Sequence, residues 1–142
     1  MPAAGRALPQ RPSHVYVELA SEDAVAVLRP DLAALADLGV AANCFAGRGP
    51  SWKTRMFYPS AGVPEDPATG SAAGPLAIHL ARHGRIGFGE RIEIRQGAEI
   101  GRPSLLYAKV TGDRDQIDSV EVGGAAMIVA EGRFRITRDS AS

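Results

Sequence analysis

The residues with the clearest potential for chemistry lie in one short stretch, GVPEDPATGSAAGP, at positions 62–75. Two adjacent carboxylates, Glu65 and Asp66, precede the small turn TGS at 69–71. The apolar run that follows, LAIHLARHG, predicts a helix, and its start is expected near Ser71. Acids, hydroxyl groups and a glycine are therefore expected together at the N-terminus of a helix.

A helix N-terminus suits an anion, because its first backbone N–H groups have no helical partner and the helix dipole is positive there. Gly70 leaves this backbone open to a ligand, and Ser71 is predicted as the N-cap. The turn would then bind a carboxylate or a phosphate. Ordinary capping explains the same residues, so both interpretations stay open here. Pro75 fits the helix only within its first turn.

The two acids are expected to differ in role. Asp66 lies between Pro64 and Pro67, where it can accept backbone hydrogen bonds or orient an amine or hydroxyl group of a substrate. Neighbouring carboxylates can share acid and base duties if burial separates their pKa values. We expect Asp66 to be functional and Glu65 to be solvated or to cap the turn.

The rest of the chain predicts many strands and two helices. Strands are expected at about 14–20, in AVAVLR, VAANCFAG, WKTRMFYP, ERIEIRQ and SLLYAKVTG, and as two or three short strands in SVEVGGAAMIVAEGRFRI. A short helix should start at Asp31 and end at Gly39, and a long one should run from about Ala72 to His83. The glycines of GAEIG and VEVGG are expected to mark turns or bulges. The predicted fold class is α+β, with a mostly antiparallel sheet curled around the long helix.

Length and composition limit the class of protein. The 142 residues fit one domain, predicted at 14–137, with a flexible lead-in at 1–13 and a frayed tail at 138–142. Equal numbers of basic and acidic side chains, 16 of each, argue against a nucleic-acid partner. One cysteine excludes an internal disulfide and favours a reducing, cytoplasmic location. No run approaches the about 20 apolar residues of a membrane span.

Other reactive side chains are weaker candidates. Cys44 lies in a hydrophobic strand pattern and is expected to be a small buried side chain rather than a nucleophile. His79 and His83 have a spacing that two metal ligands could use, but no glutamate accompanies them and His14 is a weak candidate for a third ligand, so no metal site is predicted. Arg55 and Arg102 would either pair with Asp66 or Glu65, face a substrate carboxylate, or be exposed at the surface.

The stretch RMFYPSAGVPEDPATGSAAGPLAIHLARHG resembles the signature of the phenazine-biosynthesis isomerase-like family, which is related to diaminopimelate epimerase. The resemblance continues through RIEIRQGAEIGRPSLLYAKV and VEVGGAAMIVAEGRF, and it covers the chain from about His14 to Ile136. Members of this family are longer proteins, with two similar domains and an active site between them. The chain resembles their second domain.

The resemblance implies a site at the start of the long helix. Asp66 and Ser71 would take part in catalysis, and the turn of Thr69, Gly70, Ser71 and Ala72 would bind the substrate carboxylate. The family's general base is a glutamate of the first domain, which this chain lacks. The implied reaction is proton transfer on a small carboxylate-bearing molecule without metal or organic cofactor. The missing half would come from a separately encoded partner or from a homodimer.

Two alternatives remain open at this point. The chain could be a non-catalytic domain that kept the family fold and binds a carboxylate or another protein. A binding domain of that kind would lose affinity on Ser71→Ala or Asp66→Ala and would show no turnover in any mixture. The chain could also be a fragment of a longer protein, which predicts poor solubility because an apolar face would be uncovered.

Overall fold

A computed structural model describes residues 13–135 of the chain. Apart from Ser13, the predicted lead-in lies outside this range, as does the predicted tail. The elements within it are β1 (His14–Glu18), α1 (Glu22–Val27), α2 (Leu32–Leu38), β2 (Ala41–Arg48), β3 (Ser51–Tyr58), β4 (Val63–Asp66), α3 (Gly70–Arg82), β5 (Arg91–Gln96), β6 (Ser104–Gly112) and β7 (Ile117–Gly124). Short 3-10 turns occupy Pro59–Ala61 and Ala98–Ile100.

The strands form one mixed sheet in the order β1-β2-β3-β5-β6-β7, and β4 pairs with β3 outside this path. The sheet is strongly curled, which confirms the predicted α+β fold class. Most strand pairings are antiparallel, as predicted, but the sheet is mixed, since β1 and β2 are parallel, as are β3 and β5. Both parallel pairs are joined through helices, α1 and α2 in one case and α3 in the other, because a parallel connection must return to the same end of the sheet.

The predicted strand AVAVLR is wrong, because most of this sequence forms α1. The hydroxyl of Ser21 accepts the N–H of Ala24 at 3.1 Å and caps the helix, and Glu22 and Asp23 lie favourably in its first turn. These local interactions outweigh the strand preference of the valines. The predicted helix after Asp31 is confirmed as α2, which ends at Gly39 in a left-handed conformation with φ 66°.

The long helix begins earlier than predicted. Its N-cap is Thr69 rather than Ser71, so Pro75 lies in the second turn and not in the first. Proline has no N–H, and the carbonyl of Ser71 therefore lacks its usual helical partner. The start of α3 is tightened instead, since the N–H of Ala72 donates to the carbonyl of Thr69 at 3.1 Å. The helix then continues regularly to Arg82.

The core lies between α3 and the concave side of the sheet. Apolar residues of the helix pack against large side chains of the strands; the cluster contains Phe45, Trp52, Ala73, Leu76, Ala77, Leu80, Ala81, Ile86, Ile92, Ile94, Leu106, Ala108 and Val110. Small residues let the helix approach closely: a Cβ added at Gly74 would lie 2.9 Å from Cγ1 of Val120. Close packing of this kind fixes the position of the helix start.

The prediction of further strands after β7 is wrong for the described residues. Residues 125–135 contain neither helix nor strand in the structure. Their apolar side chains are almost fully exposed, at 85% for Met127, 82% for Ile128, 90% for Val129 and 96% for Phe134. No helix in residues 13–135 is long and apolar enough to cross a membrane.

Candidate functional site

The acidic residues and the small turn of the predicted site lie together where β4 ends and α3 begins. Asp66 is half-buried at the end of β4, and the hydroxyl of Thr69 donates to its Oδ2 at 2.5 Å. Among residues 13–135, no donor reaches Oδ1 of Asp66. The carboxylate is therefore held by one oxygen while the other is available to a ligand.

Gln96 is a residue that sequence reasoning missed, and it holds this turn together. Its Nε2 donates to the carbonyl of Asp66 at 2.7 Å and to the hydroxyl of Thr69 at 2.8 Å. Its Oε1 accepts the backbone N–H of Thr69 at 3.3 Å and the hydroxyl of Thr54 at 3.2 Å. The side chain is 4% exposed and uses donors and acceptors alike.

A signal for Gln96 does exist in the sequence. In ERIEIRQ the buried face of the strand reads Ile92, Ile94, Gln96, because alternate residues share a face. A glutamine in that position must find hydrogen-bond partners, since burying an amide without them costs free energy. The pattern predicts a buried polar contact, although it does not identify the partner.

The N-terminus of α3 differs from those of the two shorter helices. Ser21 and Asp31 cap α1 and α2 with their side chains, whereas the hydroxyl of Thr69 binds Asp66 and Gln96 and makes no capping bond. In the described part of the chain, the N–H groups of Gly70 and Ser71 have no acceptor. These donors are available to a ligand, and a helix end of this type carries partial positive charge.

The space in front of these donors is open. A Cβ added at Gly70 would meet nothing within 4 Å. Gly70 also lines an open cavity of about 490 Å³, whose other walls include Ser104, Leu105, Gly123 and Gly124. The glycine pair of VEVGG was predicted to mark a turn or bulge; it lies instead in regular pairing between β7 and β6.

The predicted turn at GAEIG is confirmed, and it packs against the residues that precede α3. Gly97 has φ 84° and Gly101 has φ 70°, both in the left-handed region that favours glycine. A Cβ at Gly97 would collide with the carbonyl oxygens of Arg102 and Pro67. The backbone of this turn is therefore packed directly against the proline that precedes the helix.

Ser71 lies at the second position of α3 and is exposed, so the prediction that it caps the helix is wrong. Its Oγ is 3.4 Å from Nε2 of His14 on β1. On the same face of β1, the hydroxyl of Tyr16 donates to the carbonyl of Ala72 at 2.9 Å, and burial raises the pKa of Tyr16 to about 12. Two side chains of β1 thus contact the first turn of α3.

Glu65 is neither solvated nor a turn cap, and this prediction is wrong. Arg55 binds it through two hydrogen bonds of 2.8 Å, from Nε to Oε1 and from Nη2 to Oε2. These hydrogen bonds raise the pKa of Arg55. Nη1 of Arg55 also donates to carbonyls at the end of α1, with the shortest bond, 2.7 Å, to Leu28. The pair anchors the residue next to Asp66.

The remaining candidates lie outside this arrangement. Arg102 is exposed, and its side chain makes no hydrogen bond within residues 13–135. Cys44 is 7% exposed, and burial raises the pKa of its thiol, in agreement with a buried structural role. The ring centroids of His79, on α3, and His83, its C-cap, are 4.3 Å apart with tilted planes. No cluster suited to a metal occurs among the described residues.

Comparisons with known proteins agree with the sequence resemblance. The family described as "Phenazine biosynthesis-like protein" matches residues 6–132. The chain is 57% identical over 122 residues to a trans-2,3-dihydro-3-hydroxyanthranilate isomerase of Pseudomonas fluorescens, covering 85% of this chain and 44% of that protein. An uncharacterized isomerase of Deinococcus radiodurans is 35% identical over 127 residues, covering 83% of this chain and 41% of that protein.

Solved structures show the same fold. The phenazine biosynthesis protein of the PhzF family from Bacillus anthracis matches with a TM-score of 0.60 at 18% identity, over 75% of this chain and 40% of that one. A predicted epimerase from Pseudomonas aeruginosa matches with a TM-score of 0.52 at 28% identity, over 83% of this chain and 43% of that one. The chain spans less than half the length of these relatives.

Proposed function

The chain belongs to the phenazine biosynthesis-like protein family, and we propose that it is the carboxylate-binding half of an isomerase. Its relatives at 57% identity are named for trans-2,3-dihydro-3-hydroxyanthranilate, a ring compound with a carboxylate, an amine and a hydroxyl group. We propose that this chain binds a substrate of the same chemical class. The reaction would move a proton on the ring without a metal or an organic cofactor.

The uncapped helix N-terminus is the observation that carries this proposal. The N–H groups of Gly70 and Ser71 would donate to the substrate carboxylate, and the hydroxyl of Ser71 would add a third donor. Hydrogen bonds to a charged group contribute about 1.5–3 kcal/mol each. The backbone of Ala72 and the side chain of Thr69 would keep this turn in position, through the bonds to Tyr16 and Gln96.

Asp66 would act on the other polar groups of the substrate. Its Oδ1 is available, while Oδ2 is held by Thr69. In that position the carboxylate would bind the amine or hydroxyl of the substrate, or accept and return a proton. The fixed orientation favours such a role, since a general acid or base must lie within hydrogen-bond reach of the proton that it moves.

A second acid–base group would come from a partner half. Arg55 binds the carboxylate of Glu65. Among the described residues, Asp66 is therefore the carboxylate at the helix start that is available to a ligand. Exposed apolar side chains between 125 and 135 are typical of a surface that another protein covers. The partner would be a separately encoded chain or a second copy of this one.

Binding can be tested on the full chain by isothermal titration with 3-hydroxyanthranilate, a stable aromatic analogue. Ser71→Ala should weaken binding about 10- to 100-fold, which corresponds to one charge-assisted hydrogen bond. Gly70→Ala should fold normally and still bind poorly, because its Cβ would enter the open space. Ser60→Ala, at an exposed serine outside the site, is the matched control. Equal affinity for all four proteins would overturn the proposal.

A non-catalytic binding domain is the second candidate, favoured by the single available carboxylate. Isomerisation assays with an extract of the source cells, before and after removal of this chain, separate the two functions. Turnover that is lost on removal and restored by adding the chain back supports the split isomerase. Ligand binding without turnover in any mixture supports the binding domain.

A further inference from the structure

His14 joins two elements that sequence reasoning treated separately. It is the first residue of β1, and it is half-buried between Asn43 of β2 and Ser71 of α3. Nδ1 of its ring is 3.0 Å from Nδ2 of Asn43, and Nε2 is 3.4 Å from Oγ of Ser71. Asn43, His14 and Ser71 therefore form a chain of hydrogen bonds that ends at the candidate site.

The orientation of the Asn43 amide is fixed by its surroundings. Asn43 is 2% exposed, and its Nδ2 also donates to the carbonyl of Ala41 at 3.2 Å. If the amide were flipped, its oxygen would face that carbonyl, and two acceptors would be buried against each other. The nitrogen of the amide must therefore face Nδ1 of His14.

This contact decides which ring nitrogen of His14 carries hydrogen. A donor from Asn43 requires a lone pair on Nδ1, so the neutral ring carries its hydrogen on Nε2. A proton on Nδ1 would place two donors opposite each other. Burial also lowers the pKa of His14, which favours the neutral ring.

We propose that Asn43 and His14 orient the hydroxyl of Ser71 as a donor toward the ligand. Nε2–H of His14 donates to Oγ of Ser71, and the serine hydrogen then points away from the imidazole. The backbone N–H of Gly70 is also a donor, so Gly70 and Ser71 together present donors to the ligand. This inference rests on the proposed function, because a carboxylate is the ligand that matches such a set. His14 is a positioning residue, acting through Ser71.

The tautomer can be read without any ligand, by ¹⁵N NMR of the full chain labelled at histidine. At pH 7.5 the inference requires a neutral His14 with hydrogen on Nε2. Asn43→Asp should reverse this assignment, since a carboxylate accepts hydrogen from Nδ1. A wild-type ring protonated on Nδ1, or charged, overturns the inference whatever the chain binds.

Binding of 3-hydroxyanthranilate tests the consequence. His14→Ala should weaken it about tenfold, the effect of about one hydrogen bond, whereas His14→Gln should restore most of the affinity because its amide can donate to Ser71. A folded His14→Ala variant that binds as well as wild type overturns this inference, even if Ser71→Ala still weakens binding. If the wild type does not bind, the proposed function fails, and the tautomer alone decides whether His14 donates to Ser71.

Discussion

The start of α3 and the segment 125–135 differ in the surroundings of their side chains. At the helix start, buried polar groups such as Gln96 and Thr69 are bonded to one another within the chain. Along 125–135, large apolar side chains are exposed instead. The polar groups of the first region are bonded within the described residues, whereas the large side chains of the second are exposed. Ligand binding should therefore be measurable on the chain alone, while turnover should depend on a second half.

The largest effect is expected at Arg55. Arg55→Ala would leave the buried carboxylate of Glu65 without its partner, and breaking a buried ion pair costs about 3–5 kcal/mol. Urea unfolding followed by circular dichroism measures this loss. Arg85→Ala is the matched control: it removes the pair with Glu18, in which both side chains are about 40% exposed, and should cost less than about 1 kcal/mol. Equal losses would contradict the view that Arg55 anchors the helix start.

Gln96→Leu should have the next largest effect. It would leave the carbonyl of Asp66 and the N–H of Thr69 without their partner, and an unsatisfied buried group costs about 1–3 kcal/mol. The same unfolding experiment applies. Gln116→Leu, at an exposed glutamine, should change stability by less than about 0.5 kcal/mol. A Gln96→Leu variant as stable as the wild type would show that the network does not organise the turn.

A smaller effect is expected from pH. Burial lowers the pKa of His14 and of His79, and in His79 the neighbouring His83 adds to this. Below pH 6.5 the unfolded chain takes up protons that the folded chain resists, so the free energy of unfolding should fall as the pH falls. Above pH 6.5 these residues should have no effect. Replacing both by glutamine should flatten the slope, and an unchanged slope would contradict the assignment.

The smallest effect on stability is expected in the segment 125–135. Replacing Met127, Ile128 and Val129 by serine should change the free energy of unfolding by less than about 0.5 kcal/mol, because these side chains are already exposed. The same triple variant should lose any association with a partner or with a second copy, as measured by sedimentation velocity. A large loss of stability would mean that the segment packs on its own chain.

The fold class and the approximate position of the long helix could be predicted from sequence, because their signals are local. Asp31 and Gly39 mark both ends of α2 within a few residues, and the small residues around Gly70 follow an evident strand. The errors arose where distant residues decide. Thr69 rather than Ser71 occupies the N-cap position but makes no capping bond, because its hydroxyl is bound by Asp66 and by Gln96, which is 27 residues away.

The same reason explains why the sequence does not predict the contact between His14 and Ser71. His14 lies 57 residues from Ser71 in sequence, and only the pairing of β1 beside β2 brings it to the helix start. A strand pattern places His14 and Tyr16 on one face but does not tell which element that face meets. The sequence also leaves open which acid Arg55 binds, and only the pairing of β3 with β4 places Glu65 rather than Asp66 against it.

The central claim is that the uncapped start of α3 binds a carboxylate without help from a partner. The most direct test is a titration of the ¹⁵N-labelled full chain with 3-hydroxyanthranilate, following every backbone amide by NMR. The account predicts that the largest shifts occur at the amides of Gly70 and Ser71, and that Ser71→Ala weakens the response. Saturating ligand that leaves these two amides unchanged, or that shifts only residues elsewhere, would contradict it.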